Sequence, residues 1–186
     1  MGKLSLYSTR ISGVSYVISC RHADNRGSFS RWFCMQELAA LLPDQNIVQI
    51  NHSFSDKSGT VRGLHFQHPP YAEYKLVRCI AGSVFDVIVD LRCDSPTFLQ
   101  HVSYELSAEN NAMLIIPPGC AHGFQTLTDN TALLYLHTAY YQPEAEDGIR
   151  ADDARLKIRW PLPISCMSER DQNFMPLALN YPGLKL

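Results

Sequence analysis

Residues 73–92, EYKLVRCIAGSVFDVIVDLR, constrain the fold of this chain more than any other stretch. Apolar and polar residues alternate along it, Val and Ile crowd its second half, and Ala81-Gly82 interrupts it. A period of two marks a half-buried strand, and a glycine at the break marks a tight turn, so the stretch predicts a β-hairpin. Comparable segments follow one another at 46–55 (NIVQINHSFS), 95–107 (SPTFLQHVSYELS), 111–119 (NAMLIIPPG), 122–128 (HGFQTLT) and 131–141 (TALLYLHTAYY). Each is bounded by Pro, Gly, Asn or Asp, the residues that end strands in turns. The N-terminal KLSLYSTRISGVSYVI reads as a further edge strand. One helix is expected over 30–42 (SRWFCMQELAALL), where apolar residues take helical spacing before Pro43, and a second short helical or irregular piece over 144–156. Many short strands at close, regular spacing predict one all-β domain over 1–186, a sandwich or barrel with minor helix.

The 186 residues suffice for one real core, and 46% hydrophobic with 18% charged residues fits a folded rather than a disordered chain. A net charge of −2 gives no reason to expect nucleic acid or a membrane surface as partner. The N-terminus lacks the long apolar core of a secretory signal, and no run approaches the length of a spanning helix. Cys20, Cys34, Cys79, Cys93, Cys120 and Cys166 are scattered without a CxxC pair, so reduced thiols and a cytoplasmic location are expected.

The candidate chemistry sits in two segments. In IIPPGCAHGF, Pro117, Gly119 and His122 fit the PxGxxH pattern of the second cupin motif. Upstream, VRGLHFQHPPYAEYKLVRCIAG loosely resembles the first motif through His65, Glu73 and Gly82. Cupins are small β-barrels that often hold a metal on three histidines and a carboxylate. A metal set needs His-x-His, with two imidazoles on one face of a strand. Here the spacing is His65-x-x-His68, and Pro69-Pro70 follows at once, so no metal is expected. His22, His52, His101 and His137 read as structural histidines. His65 does not, because Arg62 and Lys75 nearby are costly inside a barrel unless an anion binds there.

The blocks DNRGSFSRWF, VQINHSFS, VRGLHFQHPPYAEYKLVRCIAGSVFDVIVDLR, SPTF, LSAEN, IPPGCAHGFQTLTD, LLYLHTAYYQPEAEDGI and SERDQ together resemble the dTDP-4-dehydrorhamnose 3,5-epimerase family. They occur in the family's order and cover about residues 20–177. The resemblance implies a metal-free, cofactor-free cupin jelly roll that inverts carbons beside the keto group of a nucleotide-linked 4-keto-6-deoxy sugar. In the family's pattern His65 matches the base and Asp171 the carboxylate that orients it. Lys75 matches the cation near the enolate oxygen, and Tyr135 the acid that returns a proton to the opposite face. Arg62 and His122 match substrate contacts, Gln49 and Asn51 the sugar-nucleotide groove, Tyr141 the aromatic on the base, and Glu146 a polar contact nearby. Arg26 matches a diphosphate contact on a segment that, in the family, reaches across to the second subunit of a homodimer.

Four positions depart from that pattern. Arg31 replaces the glutamate of RGxFxE, Leu136 the lysine of LYK, Ala151 the tryptophan of GIRW, and Arg170 the lysine before the dyad aspartate. These positions are expected to border the nucleotide. Arginine only donates, through a planar fork suited to guanine O6 and N7 or to a cytosine carbonyl, and Ala151 is expected to leave room for a larger base. The substrate expectation therefore spans dTDP-, GDP- and CDP-linked sugars. Two other classes compete with the epimerase: a metal-dependent cupin isomerase or dioxygenase, and a non-catalytic sugar-nucleotide binder.

Overall fold

The computed structural model describes residues 3–186. Thirteen strands and two single-turn helices are laid out along them. The first strands are β1 (Leu4–Ser8), β2 (Ser15–Ser19), β3 (Arg21–Asp24) and β4 (Gly27–Ser30), followed by α1 (Met35–Leu38). Then come β5 (Gln49–Ser55), β6 (Val61–Gln67), β7 (Lys75–Ala81), β8 (Ser83–Asp90) and β9 (His101–Ser107). The chain closes with β10 (Ala112–Ile116), β11 (Cys120–Thr126), β12 (Thr131–His137), β13 (Glu146–Gly148) and α2 (Glu169–Gln172). A six-stranded sheet runs β1-β2-β10-β7-β12-β5 and a five-stranded sheet runs β13-β6-β11-β8-β9, while β3 and β4 form a separate hairpin. All pairings between these strands are antiparallel, and the chain crosses repeatedly from one sheet to the other. That is the all-β sandwich expected from the strand spacing, in the cupin-type jelly roll that the family resemblance implies.

The stretch forms two strands, β7 and β8, with Gly82 between them at φ +70°, but they do not pair as the expected hairpin. The two strands leave in different sheets, which makes the stretch a corner between layers rather than a ladder. Three apolar layers explain the composition. Val77, Cys79, Val84, Ile88, Leu114, Phe124 and Leu133 fill the space between the sheets. Leu64, Phe66, Val87, Val89 and Leu91 pack outward against Ile149, Leu156, Leu177 and Leu184 of the C-terminal wrap. Leu76, Met113, Ile115 and Leu136 pack outward against Leu38 and Leu42. Central strands buried on both faces read as near-continuous Val/Ile/Leu runs, as β8 and β10 do.

Two further expectations are corrected. The helix expected over 30–42 is one turn long, because Ser30 belongs to β4 and Trp32 stacks on the Arg78 guanidinium 5.2 Å away. Leu38 and Leu42 keep the i,i+4 spacing that produced the helical signal, but turns rather than helix follow Leu38. Of the alternatives for 144–156, helical or irregular, the irregular one holds: Glu146–Gly148 adds to β6 as a short edge strand, and the rest is turn and coil. The N-terminal segment is a hairpin, β1 with β2, rather than one strand. All six cysteines are free thiols. No helix of the described residues is long and apolar enough to cross a membrane.

Candidate active site

A cleft of about 570 Å³ opens between the two sheets, lined among others by Gln49, Asn51, Arg62, His65, Lys75, His122, Tyr135, Tyr141, Glu146, Arg170 and Asp171. Period two puts most of these residues there. Along β12, Leu133 and Tyr135 face inward while Leu134 and Leu136 face out. Along β5, Gln49, Asn51 and Ser53 line the cleft.

Arg62 and His65 stand three residues apart, which a regular strand sends to opposite faces. Both line the cleft because β6 carries a bulge: His122 pairs with His65 and Phe124 with Arg62, so three steps on β6 match two on β11. Gly63 makes the bulge possible. Its φ is +106°, and a Cβ there meets the His122 carbonyl oxygen at 2.6 Å and Gly123 Cα at 2.8 Å. His68 falls beyond the end of β6 and pairs with Asp147 at 3.0 Å, outside the cleft.

Asp171 arrives from the C-terminus on α2. Ser168 caps that turn by accepting the Asp171 N–H at 3.1 Å. One Asp171 oxygen accepts from Gly63 N–H at 3.0 Å and the other lies 2.7 Å from His65 Nε2. Burial opposes ionisation of Asp171, but the hydrogen bonds from His65, Gly63 and Ser168 outweigh it and hold the carboxyl below its usual range. With Nε2–H donated to this carboxylate, the Nδ1 lone pair of a neutral His65 is left to act as a base.

From the opposing sheet, the Tyr135 hydroxyl lies 3.0 Å from Ser53 Oγ. Burial pushes its pKa well above that of a free phenol, and the Ser53 hydrogen bond pulls the other way. The group therefore carries its proton at neutral pH. His122 Nε2 lies 2.8 Å from Asp86, whose burial raises its carboxyl above the ordinary value, and the His122 ring meets Tyr135 edge-on at 6.3 Å. Lys75 Nζ reaches the His65 carbonyl at 3.4 Å and Glu73 at 3.5 Å. Arg62 is held by Ser55 Oγ and the Phe54 carbonyl, at 3.1 and 2.9 Å.

At the outer end, Tyr141 OH donates to Glu146 at 2.7 Å, and Arg170 pairs with the same carboxylate oxygen at 2.5 Å. Desolvation works against the Glu146 charge, yet these two bonds hold its pKa below the usual range. Arg26 lies elsewhere, exposed on the β3–β4 hairpin and bonded to Asp24. Arg31 is tied to Glu37 of α1 and does not line the cleft of its own chain. The four departures do not cluster in the cleft as expected. Leu136 is buried against α1, and Ala151 is buried with its carbonyl accepting Trp160 Nε1–H, so of the four only Arg170 lines the cleft.

Sequence reasoning passed over His137, Asp86 and Ser53, and took Glu73 only as a loose match to the first cupin motif. His137 read as structural, yet it lines the cleft two residues beyond Tyr135, where period two places it on the same face. Ser53 stands in the same relation to Asn51. Among the described residues no three His, Cys, Asp or Glu side chains converge as a metal-ligand set.

The jelly roll thus sets the His65–Asp171 pair and the protonated Tyr135 phenol on opposing sheets of one cleft. A family profile described as dTDP-4-dehydrorhamnose 3,5-epimerase matches residues 8–178. The chain is 42% identical over 174 residues to dTDP-4-dehydrorhamnose 3,5-epimerase of Sinorhizobium fredii, covering 93% of this chain and 89% of that protein. It is 36% identical over 169 residues to dTDP-4-dehydrorhamnose 3-epimerase of Streptomyces niveus, covering 90% and 81%. The crystal structure of dTDP-4-dehydrorhamnose 3,5-epimerase from Bacillus anthracis with TDP and PPi bound superposes with a TM-score of 0.91 at 37% identity, covering 94% of this chain and all of that one. The chain belongs to the dTDP-4-dehydrorhamnose 3,5-epimerase family, and it is an isomerase.

Proposed function

We propose that this protein inverts C3 and C5, or C3 alone, of a nucleoside-diphosphate-linked 4-keto-6-deoxyhexose in deoxysugar and cell-surface polysaccharide biosynthesis, in the cytoplasm. The observation that carries the reading is the His65–Asp171 pair on one sheet side of the cleft with Tyr135 on the other. Inversion requires that a proton leave one face of a carbon and return to the other. His65 takes the proton α to the ketone, and the C–H electron pair moves into the carbonyl to give an enolate. Asp171 stabilises the imidazolium that forms, and Lys75 donates a hydrogen bond to the enolate oxygen. Tyr135 then delivers its proton to the opposite face while the enolate electrons restore the C=O. His65 and Tyr135 regain their starting states by proton exchange with water. No cofactor enters the balance.

Arg62 and His122 contact the sugar, and Gln49, Asn51, Tyr141, Glu146 and Arg170 form the nucleotide end of the cleft. Arg26 serves the diphosphate from the partner subunit of a homodimer. The favoured nucleotide is dTDP, because both reasons for a guanine or cytosine base lose their footing: Arg31 is committed to Glu37, and Ala151 opens no space in the cleft. The test is incubation of the purified protein with dTDP-, GDP- and CDP-linked 4-keto-6-deoxyhexoses in D₂O, followed by NMR at C3 and C5. Deuterium entry with inversion in the dTDP-linked sugar is the expected outcome. Absence of exchange with all three overturns the reading, and faster exchange in the GDP- or CDP-linked sugar overturns the choice of base.

A further inference from the structure

Glu73 is a carboxylate almost sealed from water on the wall of the cleft, with a side chain 5% exposed. Both of its oxygens are in use. Oε1 faces Lys75 Nζ at 3.5 Å, and Oε2 accepts from His137 Nδ1 at 2.9 Å. Lys75 and His137 are direct register partners on β7 and β12, so Glu73 grips both strands at the point where they flank the cleft. A buried charge of this kind is costly unless its partners are held in place.

The donors and acceptors run in one direction. With Nδ1–H given to Glu73, His137 Nε2 is an acceptor, and Asn51 Nδ2 lies 3.4 Å from it. Asn51 Oδ1 accepts from Gln49 Nε2 at 3.2 Å, and Gln49 Oε1 accepts from Tyr141 N–H at 3.1 Å. The line crosses β7, β12 and β5 and ends at the segment that carries Tyr141. Exchanging the carboxylate for an amide places an N–H₂ against one of two donors and breaks the sequence.

We propose that Glu73 is a positioning residue for the isomerisation: together with His137 it fixes the Lys75 ammonium where the enolate oxygen forms. This rests on the reading of Lys75 given above. A lysine ammonium swings on a flexible four-carbon stem, and a cation held at one point stabilises developing charge better than a mobile one. The link through Asn51 and Gln49 ties that point to the nucleotide end.

The experiment is a double-variant cycle with Glu73→Gln, Lys75→Met and the pair, following C3 exchange in D₂O and steady-state kcat and KM. Glu73→Gln is expected to lower kcat ten- to a hundredfold with KM changed less than threefold. In the Lys75→Met background the same change is expected to cost less than threefold. Equal losses in both backgrounds, or an unchanged kcat with only a lowered melting temperature, overturn the proposal and leave a purely structural carboxylate. If Lys75→Met alone exchanges at the wild-type rate, the role of Lys75 fails, and the proposal with it, while wild-type exchange still stands as evidence of the epimerase. Should Glu73→Gln not fold, His137→Phe decides. A three- to tenfold fall in kcat at constant KM supports the positioning role, and an unchanged kcat overturns it.

Discussion

Tyr135 and Asp171 show at the residue scale how one cleft holds a protonated phenol and an ionised carboxylate. Burial keeps the phenol protonated, whereas hydrogen bonds from His65 and Gly63 overcome burial and keep the carboxyl ionised. The Asp171 pKa is lowered on folding, so its ionised form adds stability that is present above the ordinary carboxylate pKa and fades as pH falls through the lowered one. Tyr135→Phe retains the ring and removes only the donated proton. Proton removal by His65 is therefore expected to persist while inversion at C5 slows by ~10²–10⁴. NMR of the product mixture in D₂O reads both, with C3 as the reporter if the wild-type protein inverts C3 alone. An unchanged product distribution assigns the proton to another group.

At the scale of elements, the bulge in β6 decides the site. It turns a three-residue spacing into a shared face for Arg62 and His65, and the Gly63 N–H it exposes anchors Asp171. Gly63→Ala drives a methyl into backbone on the neighbouring strand at a positive φ. The expected cost is about 2 kcal/mol or more, seen as a fall in melting temperature of ~4–8 °C, with lost turnover. An alanine variant with unchanged melting and turnover removes the bulge from the account. This element also marks where sequence patterns stop being legible. Period two is enough to place Gln49 with Asn51 and Tyr135 with His137. It fails at Arg62 and His65, where a positive φ rephases the strand; the cost of cations inside a barrel and the block RGLHFQ point to those two instead. The helical signal over 30–42 overstates the helix because Leu38 and Leu42 meet the core at helical spacing while the preceding residues are extended. Asp171 sits on a helix of four residues, too short to show any period, and only the SERDQ block pointed to it.

Over the whole molecule, two features point beyond the single chain. β5 is an edge strand that turns Ile50 and Phe54 to solvent, and the β3–β4 hairpin holds Arg26 and Phe29 away from the cleft. A second copy covering these surfaces satisfies both, so light scattering is expected to give a homodimer at assay concentrations. A monomer that turns over at the same rate refutes the two-subunit site. The central claim, that His65 is the base, is tested most directly by the rate of deuterium entry at C3 of a dTDP-linked 4-keto-6-deoxyhexose in D₂O, catalysed by His65→Asn. The account predicts a rate ~10²–10⁴ below wild type with the melting temperature within a few degrees of it. Wild-type exchange at C3 by that variant contradicts it.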